Sequence, residues 1–371
     1  MRILILNWRD IKNPRGGGAE ILTHEMAKGW VKKGHEVTLF SSLFLGSKKT
    51  ETFEGIQFIR RGTWWSVHLY AFFYYLKNKN NIDIIIDEVH WFPFFSAIYA
   101  RKKTVALTCE VANKLFYTLF PYPLALFFRG IEKGYLYLYK NIPTLTISES
   151  TKKDLIKEGI NSKLITVLHM GITIPKNLKK YPKEKNPTFI FLARLNKQKG
   201  IYDAIEAFSI IIKDLPKSKL WIVGSGEDAT VKQVKEMVKS LGIEKNVKFF
   251  GYVSEEKKFE LLAKSHLLLV PSVQEGWGLT VPEASTQKTP AIVYNVAGLR
   301  DVAMDTNSVV VLKKNNPSEM AKGTINLMKD KKRYEMLQEG SFTKIENESW
   351  DKSAEVSLKI INNTFVKNNY E

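Results

Sequence analysis

Residues 271–284 read Pro-Ser-Val-Gln-Glu-Gly-Trp-Gly-Leu-Thr-Val-Pro-Glu-Ala and place two carboxylates, Glu275 and Glu283, eight positions apart. The segment follows an apolar run at 267–270 and opens a helical stretch, so Glu275 falls in the loop and Glu283 about a turn into the helix. Gly276, Gly278 and Leu279 offer backbone N–H groups ahead of that helix, where free amides and the helix dipole favour an anion. Carboxylate oxygens accept hydrogen bonds, which suits the hydroxyls of a sugar. A capping glutamate beside a surface glutamate is the plainer alternative. It leaves the close-set glycines and Trp277, read here as exposed, without a purpose.

Two further clusters carry cations or glycines at the ends of apolar runs. Arg194, in Ala193-Arg194-Leu195, lies five residues before Lys199-Gly200, directly after the run at 189–192. A guanidinium and an ammonium so placed can grip a diphosphate from two sides. Two exposed cations in a basic chain fit the same spacing. Gly16-Gly17-Gly18-Ala19-Glu20 stands between the first apolar run and the first long helical stretch. It suits either a phosphate at a helix start or a ligand-free turn, and it lacks the Gly-x-Gly-x-x-Gly spacing of a dinucleotide fingerprint.

These residues need parallel strands to bring them to one edge. Strands are predicted over 2–6, 36–40, 56–59, 83–86, 104–107, 144–147 and 164–167, with helices between them, among them 19–33 and 150–158. Ser148 is the expected N-cap of the latter. Residues 175–187 are dominated by Lys, Asn and Pro and read as a linker. A second series follows, with strands over 189–192, 219–223, 247–250, 267–270, 291–294 and 309–312. The expected organisation is an N-terminal Rossmann-like domain over 1–174, the linker, a C-terminal Rossmann-like domain over 188–349, and a last helix over 350–371. Open α/β sheets of this kind bind ligands at the carboxyl ends of their strands.

Composition narrows the function classes. With 371 residues, 44% hydrophobic, the chain can bury two full cores and is not a disordered protein. A single cysteine, Cys109, rules out an internal disulfide framework and a cysteine-based zinc cluster. The first apolar run is too short for a signal peptide, and no run of 18 apolar residues suggests a spanning helix. A cytoplasmic protein is expected. The formal charge is +18, divided between residues 1–171 (24 basic, 14 acidic) and residues 172–371 (32 basic, 24 acidic). Anionic small substrates, an anionic membrane and a Lys-rich solvated surface all accommodate it. No aromatic RNA-binding strand motif occurs, and no nucleic-acid partner is expected.

The ordered set of motifs resembles the retaining, nucleotide-sugar-dependent family 4 glycosyltransferases of GT-B fold. It comprises Gly16–Glu20, Lys33-Gly34-His35-Glu36-Val37, Ser148–Leu155, Ala193–Gly200, Val223-Gly224-Ser225-Gly226-Glu227, the Glu275-x7-Glu283 segment and Ala297-Gly298-Leu299-Arg300-Asp301. The resemblance covers essentially the whole chain. It implies two Rossmann-like domains facing across a cleft, and a sugar moved from a UDP- or GDP-sugar to a hydroxyl acceptor on a lipid-linked saccharide or glycan. It also implies roles. Arg194 and Lys199 would hold the donor diphosphate, Glu283 the ribose and Glu275 the transferred sugar, while Gly276–Leu279 would offer backbone to phosphate and sugar. Tyr252 and Val253 would lie by the nucleobase, and Gly16, Gly17 and Gly18 would close over the phosphates. Cations and amides then supply the charge, so no metal site and no cofactor are expected.

Two positions depart from the family pattern. Relatives often carry a His after the strand at 104–107, where this chain has Thr108-Cys109-Glu110. His90, Cys109 and Glu110 are therefore the acceptor-side candidates. Lys288 stands where relatives usually carry glycine, which implies a different turn or a modest strain. Aromatic and basic residues crowd 64–79 and 116–140, as in helices packed on a sheet or resting in a membrane interface. A nucleotide-sugar 2-epimerase of the same architecture is the alternative enzyme. A non-catalytic basic protein binding membrane or RNA is the alternative outside catalysis.

Overall fold

The structure, a computed structural model, describes residues 1–113, 115–168, 170–175, 179–340 and 349–370. In chain order the elements begin β1 (Arg2–Leu6), α1 (Gly18–Lys32), β2 (Glu36–Ser41), β3 (Thr50–Phe53), β4 (Ile56–Arg60), α2 (Val67–Asn78) and β5 (Ile84–Glu88). Then come α3 (Ser96–Tyr99), β6 (Thr104–Thr108), α4 (Leu115–Leu119), α5 (Tyr122–Tyr139), β7 (Thr144–Thr146), α6 (Glu149–Lys157) and β8 (Ile165–Val167). The second series is β9 (Thr188–Leu192), α7 (Ile201–Asp214), β10 (Lys219–Val223), α8 (Asp228–Ser240), β11 (Val247–Gly251), α9 (Glu255–Lys264) and β12 (Leu267–Val270). It ends with α10 (Thr280–Thr286), β13 (Ala291–Val293), α11 (Ala297–Thr306), β14 (Val309–Val311), α12 (Pro317–Lys329), α13 (Lys331–Glu339) and α14 (Trp350–Tyr370).

Two compact units result, one of Met1–Gly171 with Glu348–Glu371 and one of Ile172–Asn347. The first holds an eight-stranded sheet in the order β3-β4-β2-β1-β5-β6-β7-β8. Its strands are parallel except β3, which pairs antiparallel with β4 at the edge. The sequence reading passed over β3. Its Thr-Glu-Thr-Phe is polar and mostly exposed, and one-sided pairing leaves no apolar run to detect. The central strands are buried on both faces, as their near-continuous Ile, Leu and Val content requires. Ser148 caps α6 as predicted, its hydroxyl accepting from the Thr151 amide at 3.1 Å. α14 lies on α1: a Cβ at Gly29 would stand 2.3 Å from that of Ala354, and the Trp30 indole donates to Ser357 Oγ at 3.0 Å.

The second unit holds a parallel six-stranded sheet in the order β11-β10-β9-β12-β13-β14. Its core joins Phe189, Phe191, Phe208, Ile222 and Leu269 between sheet and helices. Of the predicted linker 175–187, residues 176–178 lie outside the described residues, and 179–187 form neither helix nor strand. Lys183 ties this stretch to the second unit, donating to Ser265 O at 2.7 Å and Thr289 Oγ1 at 2.6 Å. Residues 341–348 and 371 also lie outside the described residues.

Candidate active site

Because β9, β10, β11 and β12 run parallel, the segments that follow them emerge at one edge of the second sheet, and main-chain hydrogen bonds join them in a row. The Leu195 amide donates to Ser225 O at 2.8 Å, Gly224 to Gly251 O at 2.8 Å, and Val273 to Gln198 O at 2.9 Å. Gly200, the N-cap of α7, has φ +74°, and a Cβ there would sit 2.0 Å from Pro271 O. Only glycine lets the Lys199 turn approach the 271–275 loop so closely.

That approach brings Lys199 and Glu275 together. The ammonium donates to Glu275 Oε1 at 2.6 Å, and Ser272 Oγ donates to the same oxygen at 2.9 Å. Both partners of the ion pair are mostly buried, at 20% and 12% side-chain exposure, so the pair is weakly screened. Arg194 is exposed on the turn after β9. Gly298, in the first turn of α11, packs against the loop from the other side. A Cβ there would lie 2.3 Å from Glu275 O and 2.6 Å from Gly276 O. Glu275 is thus held by its side chain and by its backbone.

Trp277 corrects the sequence reading. It is buried rather than exposed, because the turn folds it under the loop. Its indole nitrogen has no hydrogen-bond partner among the described residues. Gly278 takes φ +87°, and Gly278 and Leu279 supply carbonyls to the first turn of α10, accepting from Val281 and Glu283. Glu283 lies inside that helix, buried, with Lys258 Nζ at 2.8 Å. Burial pushes the Glu283 carboxyl above its usual range despite the neighbouring ammonium. Burial pulls Lys258 down, but Glu283 and Glu255 more than offset it and leave its pKa raised. Lys258 is a site residue the sequence reading missed. Nothing in its run of Glu255-Glu256-Lys257-Lys258 marks it out, and only the packing of α9 on α10 selects it. Tyr252 stands out in solvent at the end of β11, beside half-buried Val253. Lys288 resolves the second departure: it keeps the glycine-type turn at φ +52° and bears the strain, on the order of 1 kcal/mol.

In the first unit, α1 begins at the predicted glycines. The Gly17 amide donates to Glu20 Oε2 at 2.6 Å, and Arg9 Nε donates to Glu20 Oε1 at 2.8 Å, which anchors the loop. Gly16 donates to Asn13 O at 2.7 Å, and Gly18 is exposed. His90 follows β5 and stacks on Trp8, with ring centroids 6.3 Å apart. Cys109 and half-buried Glu110 follow β6, at the same edge of the sheet. Cys109 itself is buried. Burial, then the charges of Glu88, Glu110 and Glu20, push its thiol well up, so it packs as a neutral side chain and does not reach out to an acceptor. Glu88, another residue the sequence reading passed over, is also fully buried. Burial and the Glu20 charge push it well above the carboxylate range, with Arg9 opposing. Its signal was an acid ending an apolar strand.

Known proteins share the motifs and the fold of this chain. Residues 173–343 match the family model for glycosyl transferases group 1, and residues 16–174 match that for glycosyltransferase family 4. The chain is 31% identical over 170 residues to a poly(glycerol-phosphate) alpha-glucosyltransferase of Bacillus subtilis, covering 45% of this chain and 24% of that one. It is 26% identical over 244 residues to a glycosyltransferase of Methanocaldococcus jannaschii, covering 61% of each. It therefore spans less than two thirds of the curated relatives it matches first. The capsular polysaccharide biosynthesis glycosyltransferase CapM of Staphylococcus aureus is 26% identical over 259 residues, covering 64% and 67%. Among solved structures, sucrose-phosphate synthase from Thermosynechococcus elongatus superposes with a TM-score of 0.79 at 15% identity, over 99% of each chain. Anabaena HepE, in complex with UDP and glucose, gives 0.73 at 16% identity, over 98% of this chain and 100% of that one. The fold predicted from the motifs is the one these structures share, and the chain belongs to the family 4 glycosyltransferases of GT-B fold.

Proposed function

We propose that the protein moves a hexosyl group from a nucleoside diphosphate sugar, UDP- or GDP-linked, to a hydroxyl acceptor with retention at the anomeric carbon. The second unit carries the donor and the first the acceptor. The observation that carries this reading is the Lys199–Glu275 pair at the carboxyl edge of the second sheet, with Arg194 on the same turn. A diphosphate entering there takes the Lys199 ammonium, and Arg194 adds a second, forked cation. Glu275 is then left to accept hydrogen bonds from sugar hydroxyls, and the Trp277 indole N–H offers one donor beneath the loop.

As the C1–O bond breaks, negative charge grows on the departing diphosphate, and prearranged cations stabilise that charge more than they stabilise the bound donor. The acceptor oxygen bonds to C1 on the face the diphosphate leaves, and its proton passes to the departing phosphate oxygen. Glu283 with Lys258 holds the ribose, and Tyr252 and Val253 border the base, whereas the Gly16 and Gly17 amides are already engaged by Asn13 O and Glu20 Oε2. His90 and Glu110 border the acceptor. Charge supplied by cations and amides needs no metal ion. HepE, bound to UDP and glucose, supports a nucleotide-sugar donor, and the Bacillus poly(glycerol-phosphate) alpha-glucosyltransferase supports a polymeric hydroxyl acceptor. The positive charge supports a place on the cytoplasmic face of a membrane.

Thermal unfolding against UDP-, GDP- and ADP-sugars tests the donor, because a ligand bound only by the folded state raises Tm by mass action. One sugar nucleotide should raise Tm and yield a product whose anomeric configuration, read by NMR, matches the donor's. An inverted product, or release of an epimerised sugar from the donor alone, overturns the proposal. Turnover should survive a chelator, and loss restored by Mg²⁺ or Mn²⁺ would sink the metal-free part.

A further inference from the structure

Lys183 is a titratable group that the transfer chemistry leaves unused. It stands in the stretch 179–187, yet its half-buried side chain turns the ammonium into the second unit. There it donates to Thr289 Oγ1 at 2.6 Å, to Ser265 O at 2.7 Å and to Gln287 O at 3.3 Å. Ser265 is the C-cap of α9, and Gln287 is the C-cap of α10. Two helix ends, each with unsatisfied carbonyls and a negative dipole end, thus converge on one cation. Burial pulls the Lys183 pKa down from 10.5 to about 7.

The surroundings keep these acceptors in place. Thr289 Oγ1 donates onward to Leu262 O at 2.6 Å, which ties the end of α10 to the last turn of α9. Lys288, the strained residue at φ +52°, stands between Gln287 and Thr289, so the left-handed turn orients two of the three acceptors. Gln338 of α13 donates to Lys288 O at 3.1 Å and holds that turn from outside. The linker is fixed on both sides of Lys183. The Glu184 amide donates to Lys264 O at 2.9 Å, and the Lys264 ammonium lies 4.8 Å over the Tyr181 ring.

α9 and α10 are therefore fastened to each other at two levels. Lys258, in the first turn of α9, meets Glu283 of α10 at 2.8 Å. Lys183 clasps the ends of the same two helices, seven residues past Lys258 and four past Glu283. At a rise of about 1.5 Å per residue, the two fastenings stand roughly 6–11 Å apart along the helices. Helices held at both levels resist splaying, so the place of the Glu283 carboxyl depends on a cation supplied from the linker. Glu283 is the group assigned to the donor ribose, which connects the linker to donor affinity.

We propose that Lys183 is a positioning residue for the donor: from the linker it clasps α9 to α10 and so sets the Glu283–Lys258 pair for the ribose. This rests on the donor reading given above and adds to it a residue outside the site. Because coupling between two sites is reciprocal, a donor bound at Glu283 also tightens the linker on the second unit. The test is titration of the full chain with UDP-glucose, GDP-glucose and ADP-glucose, followed with the one that binds. Lys183→Met should raise its Kd about fivefold to tenfold. The kcat at saturating donor should stay within about twofold, because a ribose contact is made in ground and transition states alike. Lys185→Met removes the same charge from an exposed position two residues on and should leave Kd unchanged. In a Glu283→Ala background the effect of Lys183→Met on Kd should vanish, since it acts through that carboxyl. In the wild type the same sugar nucleotide should slow amide hydrogen exchange over 183–187, a readout that needs no variant. An unchanged Kd in Lys183→Met, an equal rise in Lys185→Met, a full effect in the Glu283→Ala background, or exchange that the donor leaves unaltered overturns the proposal. So does a fall in kcat at unchanged Kd. If none of the three sugar nucleotides binds the wild type, the donor reading itself fails and takes this inference with it, whereas tight wild-type binding that Lys183→Met leaves intact removes the Lys183 role alone.

Discussion

Gly298→Ala tests whether the backbone behind Glu275 is part of the machinery. A Cβ at position 298 would lie 2.3 Å from Glu275 O and 2.6 Å from both Gly276 C and O, where ordinary contact begins near 3.4 Å. These neighbours are main-chain atoms, so no side-chain rotation relieves the clash. Either α11 or the 275–276 turn must retreat by about 1 Å, and a displacement of that size at a reacting centre costs roughly 10²-fold in rate. Overpacking of this kind costs about 1–3 kcal/mol of stability. For a unit of this size that lowers Tm by roughly 2–10 °C. Initial rates of sugar transfer would be measured with purified protein over a range of donor concentrations, alongside thermal unfolding. The expected result is a fall in kcat of about 10²-fold with most of the protein still folded at the assay temperature. Gly134→Ala is the matched control. It stands on the exposed side of α5 with nothing within 4 Å of a new Cβ, so alanine's helix propensity should leave Tm unchanged or raised. Wild-type kcat in Gly298→Ala would refute the reasoning, whatever happened to Tm, because the turn would then tolerate displacement without consequence.

Other outcomes follow from the same structure. Arg194→Ala and Lys199→Ala should each lower turnover by about 10²-fold or more with the protein still folded, and Lys199→Ala, which leaves the mostly buried Glu275 without its ammonium, should also lower Tm. Near-normal turnover in both would remove the diphosphate grip, and Glu283→Ala should chiefly raise the donor Kd measured by titration. Lys258→Met leaves the buried Glu283 carboxylate without its 2.8 Å partner and should destabilise the protein by about 3–5 kcal/mol in urea unfolding. Adding Glu283→Gln should restore much of that loss, and failure to do so would mean the pair is not the cause. His266 Nδ1 accepts the Thr188 amide at 3.0 Å, and burial, with the Lys183 charge, lowers its pKa from 6.5 to about 4. The unfolded chain therefore binds the extra proton as pH falls from 6.5 toward 4, so Tm should drop across that window and the drop should be shallower in His266→Gln. A wild-type Tm flat over those pH values would contradict the assignment.

Much of this molecule was legible in the order of its residues. Alternating apolar runs and helical stretches specified two parallel α/β series, because strands buried on both faces cannot be written with any other residues. Arg194, Lys199, Glu275 and Glu283 announced themselves because each stands just after a strand or early in the following helix, where a parallel sheet must deliver them to one edge. Lys288 could be flagged as a strained turn for a similar local reason, since backbone conformation is set within a few residues.

What the sequence could not decide were the pairings made across long separations. Lys199 meets Glu275 over 76 positions, and Lys258 meets Glu283 over 25; one lysine among many carries no mark of its partner until the strands are ordered. Trp277 reads as a loop residue and becomes a buried one only when its turn folds under the site. β3 escapes notice because an edge strand needs no apolar pattern of its own. The outward apolar face of α5 is the clearest case. Its hydrophobic period is visible in the chain, but whether Phe127 or Tyr135 faces the sheet depends on Glu132 finding the Ala112 and Asn113 amides. Periodicity fixes the angle between side chains on a helix, while the direction of the whole set is chosen by what the tertiary structure places against it.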